Sequence, residues 1–171
     1  VRLVLLPGAG IRPASGEAPV TVDATHDHAL RSWLESANAA DTDFPIQNMP
    51  FGMCGTPTGS VERCVAIGDR VLPLTGLHAA RLLPAPLDRA GQRAATLNGL
   101  MAEGRVFARE LRGPLLGLLS GAGAPRHVEP LLLRAADVPL LLPVAIGDYT
   151  DFYASVHHAT NVGSMFRPDN P

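Results

Sequence analysis

The segment from Ile146 to Arg167 carries the side chains of this sequence that are best suited to chemistry. It holds a carboxylate at Asp151, a phenol at Tyr153, an imidazole at His158 and a guanidinium at Arg167. A carboxylate suits a hard cation such as Mg2+ or Ca2+, and an imidazole suits a general base. A guanidinium and a phenol suit a substrate that carries a carboxylate. The segment therefore predicts a polar site that combines metal binding, proton transfer and substrate binding.

The same residue types also fit a plainer structure. Asp151 and Tyr153 are two residues apart, so they would face the same side of a strand. His158 follows Asp151 by seven residues and needs a turn or a helix to return to it. One carboxylate does not make a site for Mg2+ or Ca2+, which take about six oxygen ligands, and Asp148 is the other acid nearby. On residue types alone, a hydrogen-bonded polar loop remains an open alternative.

Composition limits the class of protein. The chain has 171 residues, a formal net charge of −2, 46% hydrophobic residues and 18% charged residues, which is typical of a soluble globular protein. This balance gives no sign of a nucleic acid or membrane partner. Its two cysteines, Cys54 and Cys64, are too few for a disulfide framework. They could face each other across a hairpin, but reduced, packed thiols in a cytoplasmic protein are favoured.

The remaining histidines give weaker signals. His26 and His28 flank Asp27 in an alternating pattern that could bind a metal, but residues i and i+2 at the start of a helix do not face each other. We predict solvated surface there. His78 and His127 have no partner at ligand spacing, and we predict that each is structural or exposed.

Apolar spacing predicts a helix, a strand and a hairpin in the first half of the chain. Residues 30–37 carry apolar side chains at helical spacing. Residues 43–53 contain prolines and predict an extended, partly buried strand. Residues 63–74 predict two short strands around a turn at Gly68 and Asp69. Short strands with tight turns suggest a small barrel or sandwich.

The second half predicts a long helix and a buried extended run. Apolar residues keep a 3.6-residue period from Leu97 to Leu111, and Gly113 with Pro114 is expected to end the helix. Residues 140–142 lie between prolines and are expected to be extended and buried. We place a domain boundary near Asp137.

Several motifs together resemble the fumarylacetoacetase family. The site segment contributes IGDYTDFY at 146–153, HATNVG at 158–163 and MFR at 165–167. Upstream, residues 42–52 and 65–69 resemble the family's leading barrel strands, and residues 96–98 and 102–111 resemble its helical insert. The similarity runs from about Asp23 to Asn170, and a motif of this length is far more specific than a short glycine pattern.

This resemblance implies an α+β fold. Residues 23–137 would form an SH3-like small β-barrel amino-terminal domain with helices. Residues 138–171 would form the truncated start of a β-rich catalytic domain. Residues 1–22 are expected to be a disordered leader or a start assigned too far upstream. The full-length protein is expected to be a cytoplasmic homodimer.

The resemblance also implies a reaction. The family hydrolyses 4-fumarylacetoacetate to fumarate and acetoacetate, in tyrosine and phenylalanine catabolism, with bound Ca2+ or Mg2+. By that match, Asp151 would be a metal ligand and His158 the proton acceptor that activates water. Tyr153 and Arg167 would bind the diketo acid substrate. His157 is expected at the surface, because neighbours on an extended chain point to opposite sides and His158 begins the HATN motif.

The family's other metal carboxylates and the carboxylate that partners its histidine do not occur in these 171 residues. We therefore expect residues 1–171 alone to be inactive, with the activity residing in a full-length protein. Two alternatives stay open: a non-catalytic SH3-like structural or dimerisation module, and a related diketone or acylpyruvate hydrolase.

Overall fold

A computed structural model of the protein describes residues 23–121, 125–150 and 152–169. The leader predicted for residues 1–22 and the metal ligand predicted at Asp151 lie outside the described residues.

A five-stranded antiparallel sheet organises the described part of the chain, with the strand order β4-β3-β2-β1-β5. Its central strands follow one another in sequence and are joined by short turns, so they form a meander. In their register, Gly52 lies opposite Cys64, and Val65 lies opposite Leu72. The strands are β1 (Phe51–Gly55), β2 (Val61–Ile67), β3 (Arg70–Pro73), β4 (Leu133–Arg134) and β5 (Leu140–Leu141).

The turn between β2 and β3 confirms the predicted hairpin. Gly68 has φ of +53°, a left-handed conformation that glycine adopts without a steric penalty. Its amide donates to the Phe44 carbonyl at 2.7 Å, and the amide of Asp69 donates to Ser36 Oγ at 3.2 Å. The hairpin tip is therefore held against the polypeptide that precedes the sheet. The strand predicted for residues 43–53 is confirmed only in part, since β1 begins at Phe51.

In the described ranges, three α-helices lie between β3 and β4, and a fourth follows β5. They are α1 (Leu74–Ala79), α2 (Asn98–Ala102), α3 (Gly104–Leu119) and α4 (Val156–Phe166). None of the helices in the described ranges is long and apolar enough to cross a lipid bilayer.

Helix α3 corrects the sequence prediction at both ends. The single helix predicted from Leu97 is divided into α2 and α3 at Gly104, whose φ is +81°. The prediction that Gly113 and Pro114 end the helix is wrong, because α3 continues to Leu119. Leu111, Leu115 and Leu119 recur every four residues on one face and are at most 1% exposed. Their burial outweighs the roughly 3 kcal/mol cost of an interior proline.

The helix predicted for residues 30–37 is also wrong. That segment contains a one-turn 3-10 helix, Glu35–Asn38, preceded by an isolated bridge between Ser32 and Ser120. The Asn38 side chain accepts from the Ser32 amide at 3.0 Å and donates to the Ser32 carbonyl at 2.8 Å. These bonds satisfy the backbone locally, which removes the need for a longer helix.

Two groups of buried apolar side chains form the core. The larger group joins β1–β3 to α1 and α3, with Ile46, Leu72 and Leu77 at most 1% exposed. The smaller group contains Cys54 and Cys64, which are buried and free, as predicted. The hydrogen bond between the two thiols, together with burial, raises the pKa of Cys64 above its usual range.

Strand β5 brings the chain towards the candidate site. It pairs with β1 through Leu141 opposite Met53 and Leu140 opposite Cys54, so the predicted extended conformation is confirmed. The predicted burial is wrong, because Leu140 is 64% exposed and Leu142 is 67% exposed. These residues lie at a sheet edge, where an apolar run is not necessarily covered.

Candidate functional site

The segment that holds the predicted site residues is tied to the domain just before it begins. The Leu97 amide donates to the Pro143 carbonyl at 2.7 Å. The Asn98 side chain accepts from the Ala145 amide at 2.8 Å and donates to the Ala145 carbonyl at 3.0 Å. These bonds fix the chain to the start of α2, so the site segment leaves the domain from a defined point.

Helix α4 carries the imidazole. Ser155 is its N-cap, in an extended conformation with φ −138° and ψ 152°, and its hydroxyl accepts from the His158 amide at 3.2 Å. A serine cap satisfies an amide that the first turn leaves without an intrahelical partner. The cap thus fixes the turn in which His158 lies. The sequence reasoning did not single out Ser155, although a serine directly before a helix is a recognised start signal.

Tyr153 and His158 come together in the structure. Their ring centroids are 5.1 Å apart with an interplanar angle of 67°, an edge-to-face contact. Tyr153 is 59% exposed and His158 is also exposed, so both side chains are accessible. Two of the four predicted site residues therefore form one pair, joined across the helix start rather than along a strand.

Arg167 stands apart from this pair. It is the residue that caps the far end of α4, nine positions after His158. At 1.5 Å of rise and 100° of rotation per residue, it lies about 13 Å along the helix and about half a turn around it. The structure therefore does not bring Arg167 to the Tyr153–His158 pair.

His157 is exposed, as predicted, but the reason given for it is corrected. His157 and His158 lie in the first turn of α4 rather than on an extended chain. Neighbouring residues in a helix are about 100° apart, so the two imidazoles diverge without pointing to opposite sides.

The described residues do not supply a complete metal site. Across residues 23–121, 125–150 and 152–169, no group of three or more His, Cys, Asp or Glu side chains is placed to hold a metal ion. Asp148 is exposed at the start of the site segment. A hard cation at this position would thus need oxygen ligands beyond those that the structure describes.

The other histidines lie outside this segment. His26 Nδ1 is 3.1 Å from Asp23 Oδ1, and His28 is fully exposed, which confirms the surface prediction. His127 is also exposed. His78 has a partner that sequence spacing did not reveal, since its Nδ1 is 2.7 Å from Asp88 Oδ1.

A sequence model described as "Fumarylacetoacetase N-terminal" matches residues 47–143 of this chain. The match covers the sheet and helices α1–α3, so the described fold corresponds to an amino-terminal domain of that class.

Curated relatives agree with this match. Fumarylacetoacetase from Rattus norvegicus is 43% identical over 138 residues, which cover 75% of this chain and 32% of the rat protein. The protein of that name from Oryza sativa subsp. japonica is 43% identical over 155 residues, covering 83% of this chain and 35% of the rice protein. The Homo sapiens protein is 41% identical over 138 residues, covering 75% and 32%. The chain belongs to the fumarylacetoacetase family, and it spans about a third of the length of these relatives.

Proposed function

We propose that this chain forms the amino-terminal part of a carbon–carbon bond hydrolase that converts 4-fumarylacetoacetate to fumarate and acetoacetate. Membership of the fumarylacetoacetase family carries the proposal. The contact between Tyr153 and His158 supports it, because it places a base beside a phenol that can bind substrate. Both residues follow the matched range 47–143, so their roles rest on their chemistry and on the motif around them.

The proposed step uses His158 as the general base. Its imidazole accepts a proton from water as the water oxygen attacks the ketone carbon of the fumaryl group. The bond from that carbon to the neighbouring methylene then breaks. The electron pair stays with the methylene, which takes up a proton to give acetoacetate, and the attacked carbon becomes the carboxylate of fumarate. Tyr153 would hydrogen-bond the diketo acid beside the base, and Arg167 would pair with one of its carboxylates.

A Ca2+ or Mg2+ ion belongs to the proposal as the group that chelates the diketone. Asp151 would be one of its ligands, and the remaining oxygens would come from residues that the described ranges do not contain. Arg167 would act together with the Tyr153–His158 pair only if the substrate spans the roughly 13 Å between them or a change in α4 shortens that distance.

The test is a chimera that joins residues 1–171 to the remaining two thirds of rat fumarylacetoacetase. We expect it to remove the diketone absorbance of 4-fumarylacetoacetate, to lose this activity with a chelator and to regain it with Mg2+ or Ca2+. We expect residues 1–171 alone to be inactive. Turnover by residues 1–171 alone would contradict the dependence on outside metal ligands.

The adjacent imidazoles provide a matched pair of variants. His158→Gln in the chimera should reduce kcat by at least about a hundredfold, the usual contribution of a general base. His157→Gln should leave kcat within about twofold. Equal losses from both variants, or a larger loss from His157→Gln, would refute the assignment of the base.

We also propose that the sheet belongs to an SH3-like barrel and that the full-length protein is a cytoplasmic homodimer. Short strands with a tight hairpin support the barrel, and two free, buried thiols fit a reducing compartment. A comparison of the sheet's closure in a crystal structure would decide the first point. Light scattering of the chimera would show whether its molar mass is that of a monomer or of a dimer.

A structural or dimerisation module is the second candidate function. It is favoured by exposed apolar side chains along residues 140–166, because soluble monomers rarely expose a large contiguous apolar patch. Tyr149 is 85% exposed, Phe152 78% and Phe166 79%. Under this alternative, the chimera would assemble normally and His158→Gln would leave every measured property unchanged.

A further inference from the structure

A cavity with a positively charged wall is lined by residues that precede the site segment, and the proposed hydrolysis does not use it. It has a volume of about 280 Å3 and lies between α3 and the polypeptide around residues 23–26 and 49–51. Its floor is apolar and is formed by Met49, Phe51 and Leu115. Met49 and Leu115 are at most 5% exposed, so this floor belongs to the core and is rigidly placed.

One wall of the cavity is a row of guanidinium groups. Arg105, Arg109 and Arg112 line it from positions i, i+4 and i+7 of α3, a spacing that places them on one helix face. Arg112 is anchored, since its Nε donates to Thr25 Oγ1 at 2.9 Å and its Nη2 donates to the Thr25 carbonyl at 3.1 Å. The anchoring acceptors are neutral, so they orient Arg112 without cancelling its charge.

Among the described residues that line this cavity, Asp23 is the one carboxylate. It accepts from the Thr25 amide at 2.9 Å, and its Oδ2 lies 3.8 Å from Arg109 Nη2. Arg109 faces this carboxylate, whereas the acceptors described for Arg112 are neutral oxygens, so a positive charge remains beside the cavity at Arg112. This local positive charge contrasts with the formal net charge of −2 for the whole chain.

An apolar groove adjoins the charged cavity. The groove has a volume of about 430 Å3 and shares Phe51, Arg105 and Ala108 with the cavity. It continues past the start of α3 to Leu100 and Met101 in α2. A ligand could therefore place an anionic group among the guanidiniums and lay an apolar chain along the groove. Sites of this kind, mostly apolar with a few convergent polar groups, are typical of small-molecule binding.

We propose that this combined cavity and groove binds a carboxylic acid with an apolar chain, with the carboxylate at Arg109 and Arg112 and the chain over Phe51 and Ala108. A planar guanidinium matches a carboxylate through charge-assisted hydrogen bonds, and the apolar floor rewards burial of the chain. The residues involved lie outside residues 146–167, so the inference stands independently of the proposed hydrolysis.

The test is calorimetric titration of the 171-residue chain with octanoate, octanamide, butyrate and inorganic phosphate. We expect octanoate to bind at least tenfold more tightly than octanamide, because the amide lacks the charge. We expect each methylene between butyrate and octanoate to improve affinity about two- to fourfold. Equal binding of octanamide would overturn the role of charge, and phosphate binding as tight as octanoate would overturn the role of the groove.

Variants of exposed residues separate this site from non-specific binding. Arg109→Gln should weaken octanoate binding about tenfold, whereas Asp23→Asn should strengthen it, because the competing carboxylate is removed and asparagine still caps the turn. Arg134→Gln and Phe166→Ser, at residues that line neither the cavity nor the groove, should leave octanoate binding unchanged. Circular dichroism checks that each variant is folded. Loss of binding with Phe166→Ser, or no change with Arg109→Gln, would overturn the proposal.

Discussion

Gly68, at the tip of the β2–β3 hairpin, gives a stability prediction that the geometry makes quantitative. Its φ of +53° costs a residue with a Cβ about 1–2 kcal/mol. A Cβ built there would also lie 2.4 Å from Ser36 Oγ and 2.6 Å from the Ala37 amide nitrogen. The second contact is with backbone, which cannot move aside cheaply, so overpacking adds about 1–3 kcal/mol. Gly68→Ala should therefore destabilise the fold by about 2–5 kcal/mol.

Gly59 is the matched control, because it separates the two contributions. Its φ is +81°, but a Cβ built there meets nothing within 4 Å. Gly59→Ala should thus cost only the backbone component, about 1–2 kcal/mol. In urea unfolding with an m value of about 2 kcal/mol/M, a loss of 3 kcal/mol lowers the midpoint by about 1.5 M. If the two variants show equal midpoints, the reasoning from close contact is refuted.

Three further predictions concern α3 and the start of the described chain. Leu111→Ala should destabilise the fold by about 2–5 kcal/mol in urea unfolding, because Leu111 is fully buried. Val106→Ala, on the exposed face, should change the free energy of unfolding by no more than about 0.5 kcal/mol. Equal effects would contradict the assigned helix face. Gly117→Ala should stabilise by about 0.5–1 kcal/mol, since a Cβ there meets nothing within 4 Å and glycine disfavours a helix interior; a lower melting temperature would count against it. Hydrogen bonds from the Thr25 hydroxyl and the Thr25 amide, together with the nearby His26, lower the pKa of Asp23 from 3.8 to about 2. The unfolded chain therefore takes up this proton first as the pH falls. The contribution of Asp23 to stability is therefore present above about pH 4 and lost towards pH 2. Asp23→Asn should flatten the decline of the unfolding free energy over that interval. An unchanged slope would show that the bond to Thr25 does not form in solution.

The sequence predicted the features that depend on local chemistry. Gly68 and Asp69 between two apolar runs were sufficient to place the hairpin, because only glycine adopts the required φ without strain. The resemblance to the fumarylacetoacetase family nominates Tyr153 and His158 as site residues, whereas their residue types alone leave a polar loop open. What brings them together is a helix start at Ser155, whereas the sequence predicts only that a turn or a helix is needed before His158.

The errors arise where tertiary contacts override local preference. Pro114 predicts a helix stop, but the buried row that includes Leu115 and Leu119 stabilises α3 beyond it. Residues 30–37 have helical spacing, yet a bridge to Ser120 gives their backbone other partners. Leu140 was expected in the core, and apolarity alone could not show that its strand lies at the sheet edge. The arginine row of α3 does not indicate a site in the sequence, because the cavity beside it forms only in the folded structure.

The two hydrogen bonds between the Asn98 side chain and the Ala145 backbone limit the distance between Tyr153 and the domain. Eight residues separate Ala145 from Tyr153, and at about 3.3–3.6 Å per residue they span at most about 28 Å. A group confined to a sphere of that radius has an effective concentration on the order of 10 mM, within the millimolar range of short tethers. The domain therefore acts as a fixed anchor that concentrates Tyr153 and His158 near its own surface. The same segment supplied as a separate peptide would have to reach millimolar concentration to match it.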